Sequence, residues 1–171
     1  SGTKYIAGHN DVLVGLLVAK EKTLCERLFY IQNGAGAVLS PFDSWLTIRG
    51  MKTLSLRMQR HQESAGEIAK FLQLQPQVQD VLYPNKGGML SFRLKKEEWI
   101  NPFLKSIKLI TFAESLGGVE SLITYPATQT HLDIPEEVRH SYGLTDDLLR
   151  LSIGIEDAED LIDDLKVALE A

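Results

Sequence analysis

The segment Ser1-Gly2-Thr3-Lys4-Tyr5-Ile6-Ala7-Gly8-His9-Asn10-Asp11 sets a lysine in a turn-prone stretch, with hydroxyls one and three residues before it. A lysine amine forms a Schiff base with a carbonyl compound when its surroundings lower its pKa, and the hydroxyls of Ser1 and Thr3 suit the oxygens of an adjacent phosphate. Pyridoxal phosphate carries both groups, an aldehyde and a phosphate. The same residues also describe a polar loop with one exposed lysine, in which Ser1 and Thr3 cap a turn. His9, close to Asp11, reads as a structural hydrogen-bonding residue that shapes the loop rather than as a base.

Arg150 is the second residue with chemistry to offer. It interrupts the apolar run Leu148-Leu149-Arg150-Leu151-Ser152-Ile153, and a guanidinium in such a run needs a carboxylate or several carbonyls as partner. A substrate α-carboxylate matches its fork geometry. Period-two alternation also permits an outward-facing arginine on an edge strand. Glu114, directly before Ser115-Leu116-Gly117-Gly118, places a carboxylate at a strand end, where the alternative is a solvated glutamate.

Several further motifs fall in a fixed order around these residues. They are Gly34-Ala35-Gly36, Trp45-Leu46-x-x-Arg49-Gly50-x-Lys52-Thr53-Leu54, Ser115-Leu116-Gly117-Gly118-x-Glu120-Ser121, Pro126-Ala127-x-x-Thr130-His131 and Leu149-Arg150-Leu151-Ser152-x-Gly154-x-Glu156. With the Ser1-x-Thr3-Lys4-Tyr5-x-x-Gly8-His9-x-Asp11 segment, they make the whole chain resemble the Cys/Met-metabolism family of PLP enzymes. That family includes the cystathionine synthases and lyases, methionine γ-lyase and the O-acylhomoserine sulfhydrylases. The short Asn85-Lys86 connection and Gly8-His9-Asn10-Asp11 resemble its bacillus-type cystathionine γ-synthase / O-acetylhomoserine sulfhydrylase branch.

The resemblance implies roles residue by residue. Lys4 would hold PLP as a Schiff base and then move protons as base and acid, while Ser1 and Thr3 would bind the cofactor phosphate. Arg150 would hold the substrate carboxylate, assisted by the segment Ser115-Leu116. Glu114 would contact the amino group of an incoming cysteine, or of the distal part of cystathionine; a glutamate here matches several γ-synthases and γ-lyases, whereas β-lyases more often carry an apolar or aromatic residue. The implied activity is γ-replacement on an O-acylhomoserine in trans-sulfuration, giving cystathionine with cysteine or homocysteine with sulfide. A cystathionine γ- or β-lyase is the alternative within the family, and a non-catalytic structural or assembly portion is the alternative for this chain by itself.

Composition narrows the class. The 171 residues are 44% hydrophobic and 24% charged, as in an ordinary globular protein. A formal net charge of -5 and scattered lysines and arginines give no basic face for nucleic acid. No run reaches the roughly 18 apolar residues that span a bilayer, and no leader precedes the first motif, so a cytoplasmic protein is expected. The single cysteine, Cys25, excludes an internal disulfide and a cysteine-based metal site. The four histidines show no ligand spacing, so no metal is expected.

Elements alternate along the chain. Val12 to Ala19 reads as a buried strand and Glu21 to Gln32 as a helix closed by Asn33-Gly34. Ser40-Pro41 reads as an N-cap with proline at the first helical position, opening a long helix with a bend near Gly50. Leu54, Met58, Ala65, Ile68, Ala69 and Leu72 form its core stripe. Val78–Tyr83 and Met89–Leu94 flank a Pro/Gly turn as a hairpin. A helix over 95–107, strands at 109–112, 119–125 and 148–155, and a helix over 157–169 complete the pattern.

The expected fold is α/β, fold-type I PLP-dependent transferase (aspartate aminotransferase-like), comprising the end of the large domain (1–55) and a small C-terminal α+β domain (56–171) with a mainly antiparallel sheet. The start of the chain, without an initiating Met and three residues before Lys4, suggests a portion of a longer protein. By the resemblance, that protein would be a homotetramer acting on amino-acid substrates.

Overall fold

The computed structural model describes residues 1–171 and divides into two compact units, Ser1–Leu54 and Ser55–Ala171. In the first unit, residues 3–7 form consecutive turns. Their closing hydrogen bonds run from Ala7 N–H to Gly2 O (2.9 Å) and from Gly8 N–H to Lys4 O (2.8 Å). Gly8 and Asn10 take the left-handed backbone conformation, with φ of 76° and 54°, which glycine and asparagine tolerate best.

Helix α1 spans Lys22–Ala35 and ends on Gly36, whose φ of 71° lets its N–H return to Gln32 O. This is a glycine C-cap two residues beyond the expected Gly34. Helix α2, Pro41–Met51, starts as the sequence dictates: Pro41 occupies the first turn and the Ser40 hydroxyl accepts from Asp43 N–H. It stops where Lys52 and Thr53 turn back onto the carbonyls of Arg49 and Gly50.

The expected strand at 12–19 does not form. The segment is extended but unpaired, and only Val12 and Val14 are buried, packing with Ala7 and Leu39. Its only contribution to a ladder is Val14, which bonds Gly2 and Thr3. A strand needs a neighbour to take its N–H and C=O groups, and none lies beside Gly15 to Val18 in this chain.

The second unit begins within helix α3 (Leu54–Gln73), whose buried stripe includes His61, Ala65, Ile68, Ala69 and Leu72. It covers a sheet of strands β1 (Val78–Leu82), β2 (Met89–Leu94), β3 (Thr111–Phe112), β4 (Leu122–Thr124) and β5 (Leu148–Ser152), in the order β1-β2-β5-β4-β3. All pairs are antiparallel except β3 with β4. The helix expected over 95–107 resolves into a 3-10 turn at Glu97–Trp99 and helix α4, Ile100–Ser106, so Pro102 falls in the first turn, where its missing N–H costs nothing. A short helix, α5 (Glu136–Ser141), was not foreseen. Helix α6 (Ala158–Leu169) is capped by the Asp157 carboxylate.

The core lies between this sheet and the helices. Phe92 and Phe103 meet edge to face at 5.8 Å, with Leu149, Leu151 and Leu161 fully buried. Each such side chain contributes about 2–3 kcal/mol through burial. From α6, the Asp164 carboxylate accepts the backbone N–H groups of Lys108, Leu109 and Ile110 at 2.8–3.0 Å, pinning the approach to β3. No helix is long and apolar enough to cross a membrane.

Candidate active site

In the first unit the Lys4 turn is tied down at its start. Gly2 N–H donates to Val14 O at 2.8 Å, and the Thr3 hydroxyl accepts Val14 N–H at 2.9 Å while lying 3.4 Å from Val14 O. One Thr3 bond is therefore structural, yet its O–H proton is only loosely engaged and can turn toward another acceptor. Ser1 is exposed and Lys4 half-buried, and the Lys4 amine carries neither an ion pair nor a hydrogen bond. His9 bonds the Ala7 carbonyl through Nδ1 at 2.8 Å rather than pairing with Asp11. A free amine with the Thr3 hydroxyl beside it on the turn and the Ser1 hydroxyl just before the turn fits an aldehyde and a phosphate, the two functions of pyridoxal phosphate.

Packing keeps this turn rigid. Gly50 of α2 lies so close to the turn that a Cβ there would overlap the Ala7 carbonyl oxygen. Around α2, His9, Asp11, Leu46, Arg49, Gly50, Lys52 and Thr53 line a hollow of about 350 Å³, which holds none of the sequence-predicted site residues.

In the second unit, Arg150 occupies the middle of β5, and β5 is the central strand of five. The edge-strand alternative is thereby removed. Arg150 is flanked in register by Ser91 on β2 and Thr124 on β4. Its Nη2 donates to Thr124 Oγ1 at 3.3 Å, its one hydrogen bond, and no carboxylate comes within ion-pair distance. Burial lowers its pKa from the ordinary value and the Glu114 carboxylate opposes that shift; the group stays charged at neutral pH. A half-buried guanidinium with most of its donors unused has the chemistry to take an anion.

The loop after β3 is delivered to the same place. Ala113 N–H donates to Ile123 O at 3.1 Å, and the Thr124 hydroxyl donates to Ala113 O at 3.1 Å. Thr124 thus joins Arg150 to the residue preceding Glu114. Farther along, Gly117 N–H donates to the buried Ser152 hydroxyl at 2.8 Å. Glu114 is exposed and Ser115 half-buried. The structure therefore holds the segment with Glu114 and Ser115 between anchors at Thr124 and Ser152, on the two strands beside and including that of Arg150, while Ser1, Thr3 and Lys4 belong to the first unit.

Thr124 and Ser152 were missed from the sequence. Their signal was available: both are hydroxyls in otherwise apolar strands. Behind them, the Glu156 carboxylate accepts Ser121 N–H (2.6 Å) and Oγ–H (2.8 Å), and Ser121 Oγ accepts Gly154 N–H at 2.8 Å. Buried His61 on α3 donates from Nδ1 to Ile153 O at 2.7 Å. These bonds lock the end of β5, so Ser121 and the Gly154-x-Glu156 motif serve architecture.

Comparison with known proteins gives the family. Residues 1–170 match the family described as Cys/Met metabolism PLP-dependent enzyme. A cystathionine gamma-synthase of Haemophilus influenzae is 76% identical over 165 residues, covering 96% of this chain and 45% of the relative. A cystathionine gamma-synthase/O-acetylhomoserine (thiol)-lyase of Bacillus subtilis is 67% identical over 169 residues, covering 99% of this chain and 45% of the relative. The crystal structure of cystathionine gamma synthase from Xanthomonas oryzae pv. oryzae in complex with cystathionine superposes with a TM-score of 0.95 at 43% identity, covering 99% of this chain and 48% of that one. The chain spans just under half the length of the curated relatives it matches. The match along residues 1–170 and the high identity to both relatives establish that this chain belongs to the Cys/Met metabolism PLP-dependent enzyme family.

Proposed function

We propose that the longer polypeptide of which this chain forms part catalyses γ-replacement on an O-acylhomoserine, giving cystathionine with cysteine or homocysteine with sulfide. The observation that carries this reading is the 76% identity to a cystathionine gamma-synthase across 96% of the chain. The name of the Bacillus subtilis relative, which joins that activity to an O-acetylhomoserine (thiol)-lyase, favours the same substrate class. In this reading residues 1–55 are the tail of the cofactor domain and residues 56–171 the small domain. The working enzyme is a cytoplasmic homotetramer, and the exposed Leu17, Val18, Phe29 and Tyr30 are consistent with surface that other parts of that assembly cover.

Pyridoxal phosphate, when bound, supplies an electron sink for the pair left at the substrate Cα. Lys4 would hold the cofactor through its amine and would take a proton from the substrate Cα as base and return one as acid. Ser1 and Thr3 orient the phosphate through their hydroxyls. Arg150 binds the substrate carboxylate and fixes the direction of the Cα–H bond, a contribution of orientation. Ser115 borders that carboxylate, and Glu114 offers its charge to the ammonium group of the incoming cysteine.

The test is product analysis with the full-length enzyme. O-acetylhomoserine with cysteine or sulfide should yield cystathionine or homocysteine faster than cystathionine alone yields a keto acid; the reverse order would assign a lyase. Borohydride reduction with pyridoxal phosphate, followed by peptide mass mapping, should mark Lys4 selectively. Scattered labelling of lysines in the full-length enzyme would remove Lys4 from its role.

A further inference from the structure

We propose that Ser152 is a positioning residue for the substrate-carboxylate site, its hydroxyl holding the Ser115–Gly117 loop against the strand that carries Arg150. The inference rests on the reading of Arg150 given above. Ser152 is 2% exposed and its Oγ accepts Gly117 N–H at 2.8 Å. Gly117 itself has φ of 76°, a left-handed conformation that glycine adopts without strain.

The loop depends on two anchors. One is at Ala113, through Ile123 O and the Thr124 hydroxyl; the other is Ser152 at Gly117. Glu114, Ser115 and Leu116 between them make no hydrogen bonds of their own. Removing the Ser152 hydroxyl thus frees the end of the loop adjoining Ser115 and leaves a buried N–H without an acceptor.

Strand alternation puts Arg150 and Ser152 on the same face of β5, opposite Thr124 and Leu122 on β4. One rigid strand consequently sets both the guanidinium and the loop, and their spacing fixes the pocket that receives a carboxylate. A serine suits this place because it supplies an acceptor with little volume. Alanine removes the acceptor, and threonine keeps it at the expense of a buried methyl group.

The experiment uses the full-length holoenzyme and reads the cofactor absorbance during titration with glycine and with methylamine, which lacks the carboxylate. Ser152→Ala should weaken glycine binding about tenfold, the effect of one ordinary hydrogen bond, and leave methylamine binding unchanged. The KM for O-acetylhomoserine should rise while kcat changes less, and Ser152→Thr should recover part of the loss. Val78→Ala, in a buried position on β1, should lower stability without altering the preference for glycine.

Equal weakening of both ligands, no weakening, or the same selective loss in Val78→Ala would overturn the proposal. If Ser152→Ala does not fold, Ser152→Cys replaces the hydroxyl by a poorer acceptor of similar size, and an unchanged glycine preference there overturns it as well. Arg150→Met, which removes the charge, separates the two levels. If it keeps the glycine preference, the carboxylate assignment itself fails; if it loses the preference while Ser152→Ala keeps it, only the positioning role falls.

Discussion

Replacing Arg150 by methionine should separate binding from stability. The guanidinium is half-buried on the central strand, and burial acts against its charge while Glu114 only partly offsets it. Its one hydrogen bond, to Thr124 Oγ1, is long at 3.3 Å, and Thr124 keeps its own donor satisfied at Ala113 O after the substitution. Arg150→Met therefore leaves no buried donor unpaired and fills comparable volume. Buried charges replaced by apolar groups of like size are often neutral or stabilising, and solvent at this half-open position reduces the gain. The expected change in stability is within about 1 kcal/mol of zero, or favourable, a shift in Tm of no more than about 3 °C. Binding should respond oppositely. Losing a charge-assisted fork to a carboxylate costs about 2–4 kcal/mol, or roughly 30- to 1000-fold in the KM for O-acetylhomoserine. Differential scanning fluorimetry of the holoenzyme, paired with steady-state kinetics, measures both. A Tm falling by about 6 °C or more, with KM unchanged, would make Arg150 a structural arginine and refute the reasoning.

Substitutions at three further positions probe the supports. Gly50→Ala should destabilise the first unit by about 2–3 kcal/mol through overlap with the Ala7 carbonyl, although alanine is otherwise the better helix residue; a raised Tm would show that the turn yields, and the yield of pyridoxyl-Lys4 should fall with it. Asp164→Ala should cost about 2 kcal/mol by releasing three backbone N–H groups, with Asp164→Asn recovering part of that in urea unfolding. Burial holds the His61 imidazole below its ordinary value of 6.5, so the folded state favours the neutral ring. Its contribution is complete above the unfolded pKa and is lost as pH falls from 6.5 toward the lower folded value. His61→Gln should flatten that portion of the stability profile, and an unchanged slope below pH 6.5 would place the proton uptake elsewhere.

Local chemistry made some elements readable and left others dark. Ser40-Pro41 announced α2, and the Pro84 to Gly88 turn announced the β1–β2 hairpin, because both are set by neighbours in sequence. Val12 to Ala19 misled for the opposite reason: an apolar run says that a segment seeks burial, not what will cover it, and Leu17 and Val18 stand 82% and 97% exposed. Helix α5 was invisible because six residues are too few to display a period. The lysine turn was legible as a motif, since its hydroxyls and amine lie within four residues. The partners of Arg150 were not, because Thr124 and the Ala113–Gly117 loop reach it only through the β4–β5 pairing.

That pairing also explains why so much structure is spent on the end of β5. Along Leu148–Ser152 the leucines at 149 and 151 face the core, while Arg150 and Ser152 lie on the other face of the strand. A register slip of one residue would exchange these faces, turning a guanidinium into the core and two fully buried leucines out of it. The slip is opposed on both sides by bonds that a displaced strand cannot keep. Glu156 grips Ser121, whose hydroxyl takes Gly154 N–H, and His61 holds Ile153 O from α3. A Cβ on Gly154 would strike both Val119 O and the Glu156 carboxylate, so the clamp closes only around a glycine. The charge placed at the centre of the sheet and the polar clamp beyond it are thus one design: the clamp makes the register unique, and the unique register keeps Arg150 on the face opposite the two fully buried leucines.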